Sequence, residues 1–155
     1  MHFFFYGTLT HQHANPVTAA IRDALGPGRR AWVRGGLHAV ESADGWYPAL
    51  DPAARGRVMG YCYAAGARFD AATLALLDAY ENYVPQRPRA SEYLRRRVPV
   101  RLARGGVLLA HAYLWNRPLT GALRPVPHGD FARFLAEAGV PALSSGLAGA
   151  PARWA

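Results

Sequence analysis

The chain contains no lysine, and all eighteen of its basic residues are arginines. Schiff-base catalysis, pyridoxal phosphate attachment and the P-loop each require a lysine amine, so these chemistries are excluded. The formal net charge is +8 at pH 7. A chain rich in Ala, Gly, Pro and Arg but without Lys is typical of a GC-rich genome. The charge therefore leaves open whether any acidic partner is bound.

Cysteine and long apolar runs are scarce as well. Cys62 is the one cysteine, which excludes an internal disulfide and a zinc cluster built from thiolates. No apolar run approaches the roughly 20 residues of a membrane-spanning helix. Residues 1–6 are apolar, but this stretch is too short for a secretory signal and lacks its basic start. We therefore expect a cytoplasmic protein with no membrane partner.

The residues that are present favour one compact α+β domain. Of 155 residues, 51% are apolar, including eight Tyr, six Phe and four Trp, which is enough to bury a core. Neither an internal repeat nor a linker is visible. We expect the domain to cover residues 1–141. Residues 142–155, rich in Ala, Gly and Ser, have little to pack and are expected to form a mobile tail.

Local patterns predict both strands and helices. Apolar and alternating segments predict strands at residues 2–6, 31–40, 57–64, 92–103 and 107–115. A turn is predicted at residues 42–45, and Gly105-Gly106 is expected to join the last two strands as a hairpin. Capping residues and helical periodicity predict helices at residues 16–25, 70–83 and 129–138. Asn15 and Asp70 are the expected N-caps of the first two.

Glu81 is the carboxylate that stands out. On a helical wheel it falls between Leu74 and Leu77, on the apolar side, whereas Asp78 and Asn82 lie towards the other side and are predicted to be exposed. The ordinary explanation is a glutamate that turns to solvent or pairs with an arginine. Its place just before a proline-rich loop instead favours a cleft, where a desolvated carboxylate can act as general base and acid.

The segment Tyr6-Gly7-Thr8-Leu9 follows the first predicted strand. A buried strand that stops at a glycine exposes backbone N–H groups, and converging amides can hold a carboxylate or an oxyanion. An ordinary strand end explains these four residues equally well. Residues alone do not decide between the two.

Several short motifs, taken together, resemble the γ-glutamyl cyclotransferase (AIG2-like) family. Tyr6-Gly7-Thr8-Leu9 is similar to its YGTL signature, Tyr47-Pro48-Ala49 to its YPA segment, and residues 77–83 to the LDxxExY segment with the catalytic glutamate. Gly60-Tyr61-Cys62-Tyr63 and Ala112-Tyr113 correspond to further strands, and Asn15 to a marker after the loop. A YxRxxVxV strand is matched by Tyr93, Arg95, Val98 and Val100. The resemblance spans roughly residues 3–115. Departures occur at residues 10–13 and 86–92, which we expect to border the pocket mouth.

The resemblance implies a small mixed barrel flanked by a few helices, and an enzyme that needs no cofactor or metal. A γ-glutamyl compound would cyclise by attack of its own α-amine, releasing 5-oxoproline and an amine. It also implies that Glu81 transfers the proton and that the amides of residues 6–9 hold the substrate. Tyr47, Tyr93 and Tyr113 are expected to form pocket walls and donate hydroxyl protons.

Other interpretations stay open. A binding domain of the same fold without turnover is one, and a basic nucleic-acid binder, suggested only by the charge, is the less favoured. Arg95, Arg96 and Arg97 alternate faces on a strand and cannot form one surface. His11 and His13 lack a third metal ligand, and Cys62 is expected to serve packing. We therefore expect a small γ-glutamyl substrate and no nucleic-acid partner, while oligomeric state is left open.

Overall fold

The computed structural model describes residues 1–144, which form one α+β domain around a closed five-stranded barrel. The barrel order is β1-β5-β2-β6-β7, and a second sheet has the order β4-β3-β8. The strands are β1 His2–Phe5, β2 Arg29–Arg34, β3 Gly36–Ser42, β4 Gly45–Asp51, β5 Arg57–Ala64, β6 Tyr93–Leu102, β7 Val107–Trp115 and β8 Arg124–Pro125. The helices are α1 Pro16–Ile21, α2 Ala71–Tyr80 and α3 Phe131–Ala138. The predicted fold class, a small mixed barrel with helices, is confirmed.

Strand β1 is apolar on both faces because it is covered on both. Phe4 faces the barrel interior, where it joins a group of buried residues that we call the barrel cluster, including Tyr6, Val33, Leu50, Val58, Cys62, Val100 and Phe131. Phe3 and Phe5 point the other way, into a second group that we call the pocket cluster, including Leu9, Ile21, Tyr47, Tyr63, Leu77, Tyr80, Tyr93, Tyr113 and Trp115. The strand therefore separates two cores.

Capping residues set the starts of α1 and α2 and the end of α3 as predicted, whereas α1 ends at Ile21, before the predicted residue 25. Asn15 caps α1 by accepting a hydrogen bond from the Thr18 N–H at 2.8 Å, and Pro16 occupies the first turn. Asp70 caps α2 through the Thr73 N–H at 2.8 Å. Helix α3 ends at Gly139, whose φ of 65° is favourable for glycine.

The single strand predicted at residues 31–40 is wrong. Two strands, β2 and β3, occupy that segment in different sheets, and Gly35 lies between them. A Cβ atom at Gly35 would come within 2.9 Å of the Asp51 carbonyl oxygen, so the chain can turn there only with glycine. Strand β4, which pairs with β3 along its whole length, was not predicted because Pro48 and Gly45 interrupt its pattern.

The end of the domain extends slightly beyond the expected boundary. Leu143, assigned to the tail by composition, is buried, and its N–H donates to the Trp46 carbonyl at 2.7 Å. Residues 145–155, which make up most of the predicted tail, lie outside the described residues. Within residues 1–144, no helix has the length and apolarity needed to cross a membrane.

Candidate active site

The loop that follows β1 turns sharply against strand β4. The Thr10 N–H and hydroxyl both donate to the Gly7 carbonyl, at 3.1 and 3.0 Å, which closes the turn. A Cβ atom on Gly7 would lie 2.1 Å from Cγ of Pro48, a clash that the packed hairpin cannot absorb. Glycine is therefore required by the close approach of the YPA segment, which links two of the sequence motifs directly.

Thr8 is held in place from two helices. Its carbonyl accepts hydrogen bonds from Nδ2 of Asn15 at 2.5 Å and from the Thr18 hydroxyl at 3.3 Å. Its hydroxyl oxygen accepts from the Tyr80 hydroxyl at 2.8 Å. Asn15 therefore acts twice, as cap of α1 and as anchor of the loop, and Tyr80 fixes the loop to the end of α2.

Glu81 lies where α2 stops, and the stop is a defined motif. The Tyr83 N–H donates to the Asp78 carbonyl at 2.8 Å and the Asn82 N–H to the Ala79 carbonyl at 3.1 Å, the two bonds of a Schellman cap. Asn82 carries the left-handed conformation that this cap requires, with φ of 50°. The backbone at Glu81 is thus fixed on both sides.

A side-chain pair between the half-buried Asn82 and the buried Glu92 reinforces this end of the helix. Nδ2 of Asn82 donates to Oε2 of Glu92 at 2.7 Å, and the Glu92 N–H donates back to the Asn82 carbonyl at 3.1 Å. Glu92 is 2% exposed, and its Oε1 has no hydrogen-bond partner among residues 1–144. Because Glu92 directly precedes Tyr93, this pair ties the end of α2 to the start of β6.

One pocket is lined by all eight residues that were predicted from the sequence as catalytic or substrate-binding. It is lined by Phe4, Phe5, Tyr6, Gly7, Thr8, Leu9, Tyr47, Pro48, Tyr80, Glu81, Tyr93 and Tyr113. Its free space is about 20 Å³, roughly what one or two waters need.

Burial keeps three phenols of this pocket protonated. The pKa of Tyr6 is raised by desolvation first and then by the Glu81 charge. The pKa of Tyr93 is raised by desolvation, then by Tyr6 and Glu81, and that of Tyr113 by desolvation and then by Asp78. The Glu81 charge contributes to the raised pKa of all three tyrosines, and Glu81 lines the same pocket. These hydroxyls keep their protons over the whole range in which an enzyme is assayed.

The hydroxyl protons of these tyrosines are used by acceptors within the protein. Tyr6 donates to the Tyr113 carbonyl at 2.5 Å and accepts from the Leu50 amide. Tyr93 donates to the Pro48 carbonyl at 2.5 Å, and a carbonyl can only accept. The Tyr93 hydroxyl oxygen can therefore accept a hydrogen bond from a ligand, whereas Tyr93 was expected to donate one.

Asp78 fixes Tyr113, which forms one wall of the pocket. The prediction that Asp78 is exposed is wrong. It is 8% exposed. Its carboxylate accepts from Nε of Arg95 at 2.8 Å, from Nη2 of Arg95 at 3.3 Å, and from the Tyr113 hydroxyl at 2.8 Å. Tyr113 thus also donates to the protein. The wheel failed here because β6 and β7 cover this side of α2.

The two segments that depart from the family pattern do not line this pocket. Ser91, in the 86–92 connection, binds the backbone of Val84 and Arg87, away from the pocket walls. His11 hydrogen-bonds Tyr63 at 2.8 Å, in a separate cavity beyond Leu9. Cys62 is buried, as predicted. No cluster of three His, Cys, Asp or Glu side chains suited to a metal occurs in the described part of the chain.

Known proteins provide an independent comparison. The sequence profile of the family described as gamma-glutamyl cyclotransferase, AIG2-like, matches residues 3–133. No curated protein matches the chain. Similar solved structures include an AIG2-like protein from Mus musculus, with 20% identity, a TM-score of 0.57, and coverage of 84% of this chain and 86% of that one. Another is an uncharacterized protein from Pyrococcus horikoshii, with 17% identity, a TM-score of 0.55, and coverage of 90% and 96%.

A third similar structure bears the name gamma-glutamyl cyclotransferase, with 14% identity, a TM-score of 0.54, and coverage of 97% of this chain and 92% of that one. These likenesses show that the fold is shared. The profile covers most of the chain and includes both the loop at residues 6–9 and Glu81. The chain belongs to the gamma-glutamyl cyclotransferase, AIG2-like family.

Proposed function

We propose that this protein cyclises the γ-glutamyl group of a γ-glutamyl amine or peptide. The α-amine attacks the γ-carbonyl carbon, the bond to the leaving nitrogen breaks, and 5-oxoproline and a free amine are released. The observation that carries the proposal is the convergence of the Glu81 carboxylate and the Tyr6–Leu9 loop in one enclosed pocket. Because nucleophile and electrophile belong to one molecule, the pocket's main task is to hold the curled conformer.

Glu81 has the position of a general base and acid. It accepts a proton from the substrate's α-ammonium group, which makes the amine nucleophilic, and returns a proton to the leaving nitrogen. The Schellman cap at Asn82 and the pair with Glu92 limit how far this segment can move. A fixed carboxylate can serve both proton transfers without reorganisation.

The loop and the tyrosines supply complementary contacts. Amides of residues 6–9 are suited to the substrate's α-carboxylate or to the oxyanion that develops at the γ-carbon. The Tyr93 hydroxyl oxygen, whose own proton goes to Pro48, is suited to accept a hydrogen bond from the α-amine. In this scheme Tyr113 shapes the wall, because its hydroxyl is engaged by Asp78.

We expect the pocket walls to close around a bound substrate. The walls come from different elements, with Tyr47 and Pro48 on β4 and Tyr80 and Glu81 at the end of α2. Closure of these elements around the substrate would exclude water, which favours cyclisation over hydrolysis.

Incubation with a panel of γ-glutamyl amines and dipeptides, followed by measurement of 5-oxoproline, tests the proposal. We expect Glu81→Gln to unfold at the same temperature as the wild type but to form 5-oxoproline at least about 100-fold more slowly. The matched control is Glu137→Gln, the same chemical change at an exposed site on α3. Full activity of Glu81→Gln would overturn the mechanism. Saturable binding of panel members without any 5-oxoproline would instead identify a binding domain.

A further inference from the structure

An open groove on the outer wall of the barrel is lined by four arginines around one tryptophan. Arg34, Arg55, Arg57 and Arg101 contribute to the lining together with Trp32, and the groove measures about 520 Å³. It shares no lining residue with the pocket that contains Glu81. Whatever it binds is therefore bound outside the proposed active site.

Strand register is what brings these charges together. Arg34 lies directly opposite Arg57 in the pairing of β2 with β5, and Trp32 lies opposite Arg101 in the pairing of β2 with β6. The guanidinium carbons of Arg57 and Arg101 lie 4.5 and 5.4 Å from the centre of the Trp32 ring. Like charges directly opposite one another across a sheet are destabilising.

The protein does not neutralise this cluster. None of the four guanidinium groups forms an ion pair with any of residues 1–144. Asp51 lies next to the groove in sequence, but its carboxylate accepts from the Ala53 N–H at 2.9 Å. By contrast Arg30, on the same strand, pairs with Asp130 at 2.9 Å, and Arg95 pairs with Asp78. The groove is therefore a local concentration of unbalanced positive charge.

We propose that the groove is a binding site for a small organic phosphate that carries two or more phosphate groups. Guanidinium groups match phosphate oxygens in pairs, and several phosphates can bridge arginines that otherwise repel. Trp32 and the neighbouring Pro99 give the groove an apolar side for the organic part. The volume is within the usual range for small-molecule sites.

Thermal unfolding and calorimetry with three probes test this assignment. We expect ADP and inorganic pyrophosphate to raise the unfolding temperature, by about 5–10 °C at 100 times the dissociation constant. Adenosine, which lacks phosphate, and sodium chloride at equal ionic strength should not. The double variant Arg57→Gln/Arg101→Gln should bind ADP at least about tenfold more weakly. Without ligand it should be as stable as the wild type or more so, because a repulsion has been removed.

The matched control removes the same charge elsewhere. Arg87→Gln/Arg89→Gln changes two exposed arginines of the 86–92 connection and should leave the affinity for ADP unchanged. Equal losses in the two double variants would show a diffuse charge effect and overturn the proposal. A short single-stranded oligonucleotide that binds more tightly than ADP, with steep salt dependence in every variant, would overturn it as well. Because 5-oxoproline formation plays no part in these measurements, failure here leaves the proposed function untouched.

Discussion

The barrel cluster and the pocket cluster are both buried, yet they are built differently. The barrel cluster is made of apolar side chains apart from Tyr6 and Cys62. The pocket cluster contains five tyrosines, namely Tyr47, Tyr63, Tyr80, Tyr93 and Tyr113. Strand β1 contributes alternate residues to each, so the two are separated by one layer of backbone.

The difference shows how the fold divides two tasks. Apolar side chains in the barrel cluster stabilise the fold through burial and close packing. They direct no polar atom at the pocket. In the pocket cluster, hydroxyls bind defined partners, as Tyr93 binds Pro48 and Tyr113 binds Asp78. Such partners fix side-chain orientation as well as adding stability. Changes in the two clusters should therefore have different effects on catalysis.

The largest expected effect comes from Asp78→Ala. This change leaves the mostly buried Arg95 without its counter-charge and Tyr113 without its acceptor, at a cost of about 3–5 kcal/mol in the free energy of unfolding. Phe131→Ala, in the barrel cluster, should cost a similar amount, about 3–5 kcal/mol, through the cavity it creates. Urea unfolding measures both.

Activity separates the two variants. The folded fraction of Phe131→Ala should keep the wild-type KM for a γ-glutamyl substrate, because Phe131 does not line the pocket, whereas that of Asp78→Ala should not, because Tyr113 moves. Where either variant is too unstable to assay, Phe131→Leu and Asp78→Asn make the same comparison with smaller losses. Equal KM values in the two variants would remove the distinction between the clusters.

Asp78 also illustrates where sequence reasoning stops. The caps of α1 and α2, the hairpin at residues 105–106 and strand β5 were predicted because each depends on residues close together in the chain. Asp78 instead depends on Arg95 and Tyr113, which are 17 and 35 residues away and which only the β6–β7 pairing brings to it. A helical wheel assumes one covered side, and α2 has more than one.

The site residues were predicted for a different reason. Neither Glu81 nor the Tyr6–Leu9 loop carried enough information alone, and the family motifs supplied the link between them. The structure adds the physical contact, since Gly7 packs on Pro48 and Thr8 binds Tyr80. The roles of Asn82 and Glu92 had no comparable signal, because a left-handed asparagine and its buried partner are visible only in three dimensions.

A smaller effect is expected from substitutions at Asn82, which test whether the end of α2 must be fixed. Asn82→Gly accepts the left-handed conformation but loses the bond to Glu92. Asn82→Ala loses that bond and adds backbone strain, so it should be less stable than Asn82→Gly by about 1 kcal/mol. Because Glu81 is adjacent, both variants should lower kcat while KM changes little. An unchanged kcat in Asn82→Gly would show that the hydrogen bond between Asn82 and Glu92 does not position Glu81.

The smallest effect expected is a pH dependence that reports on each cluster through one histidine. His13 packs on Phe131 of the barrel cluster, at 6.3 Å between ring centres, and burial lowers its pKa below 6.5. His111 packs on Phe3 of the pocket cluster at 5.5 Å. Its pKa is lowered by desolvation first, then by Arg95, Arg97 and the N-terminal amine, while Asp78 acts weakly in the opposite direction.

The sign of this dependence follows from the lowered pKa values. Above about pH 7.5 both rings are neutral in the folded and unfolded chains, so their contribution to stability is constant. As the pH falls through 6.5 the unfolded chain takes up protons first, and the free energy of unfolding decreases until the folded rings also become protonated. Urea unfolding between pH 5.5 and 7.5 should therefore show lower stability at the acidic end.

Salt distinguishes the two rings, because it screens the repulsion between His111 and the arginines but does not relieve burial of His13. In His13→Gln the slope against pH should stay sensitive to salt, and in His111→Gln that sensitivity should fall to the part that the N-terminal amine and Arg29 cause at His2. The same salt response in both variants would contradict the assignment of one histidine to each cluster.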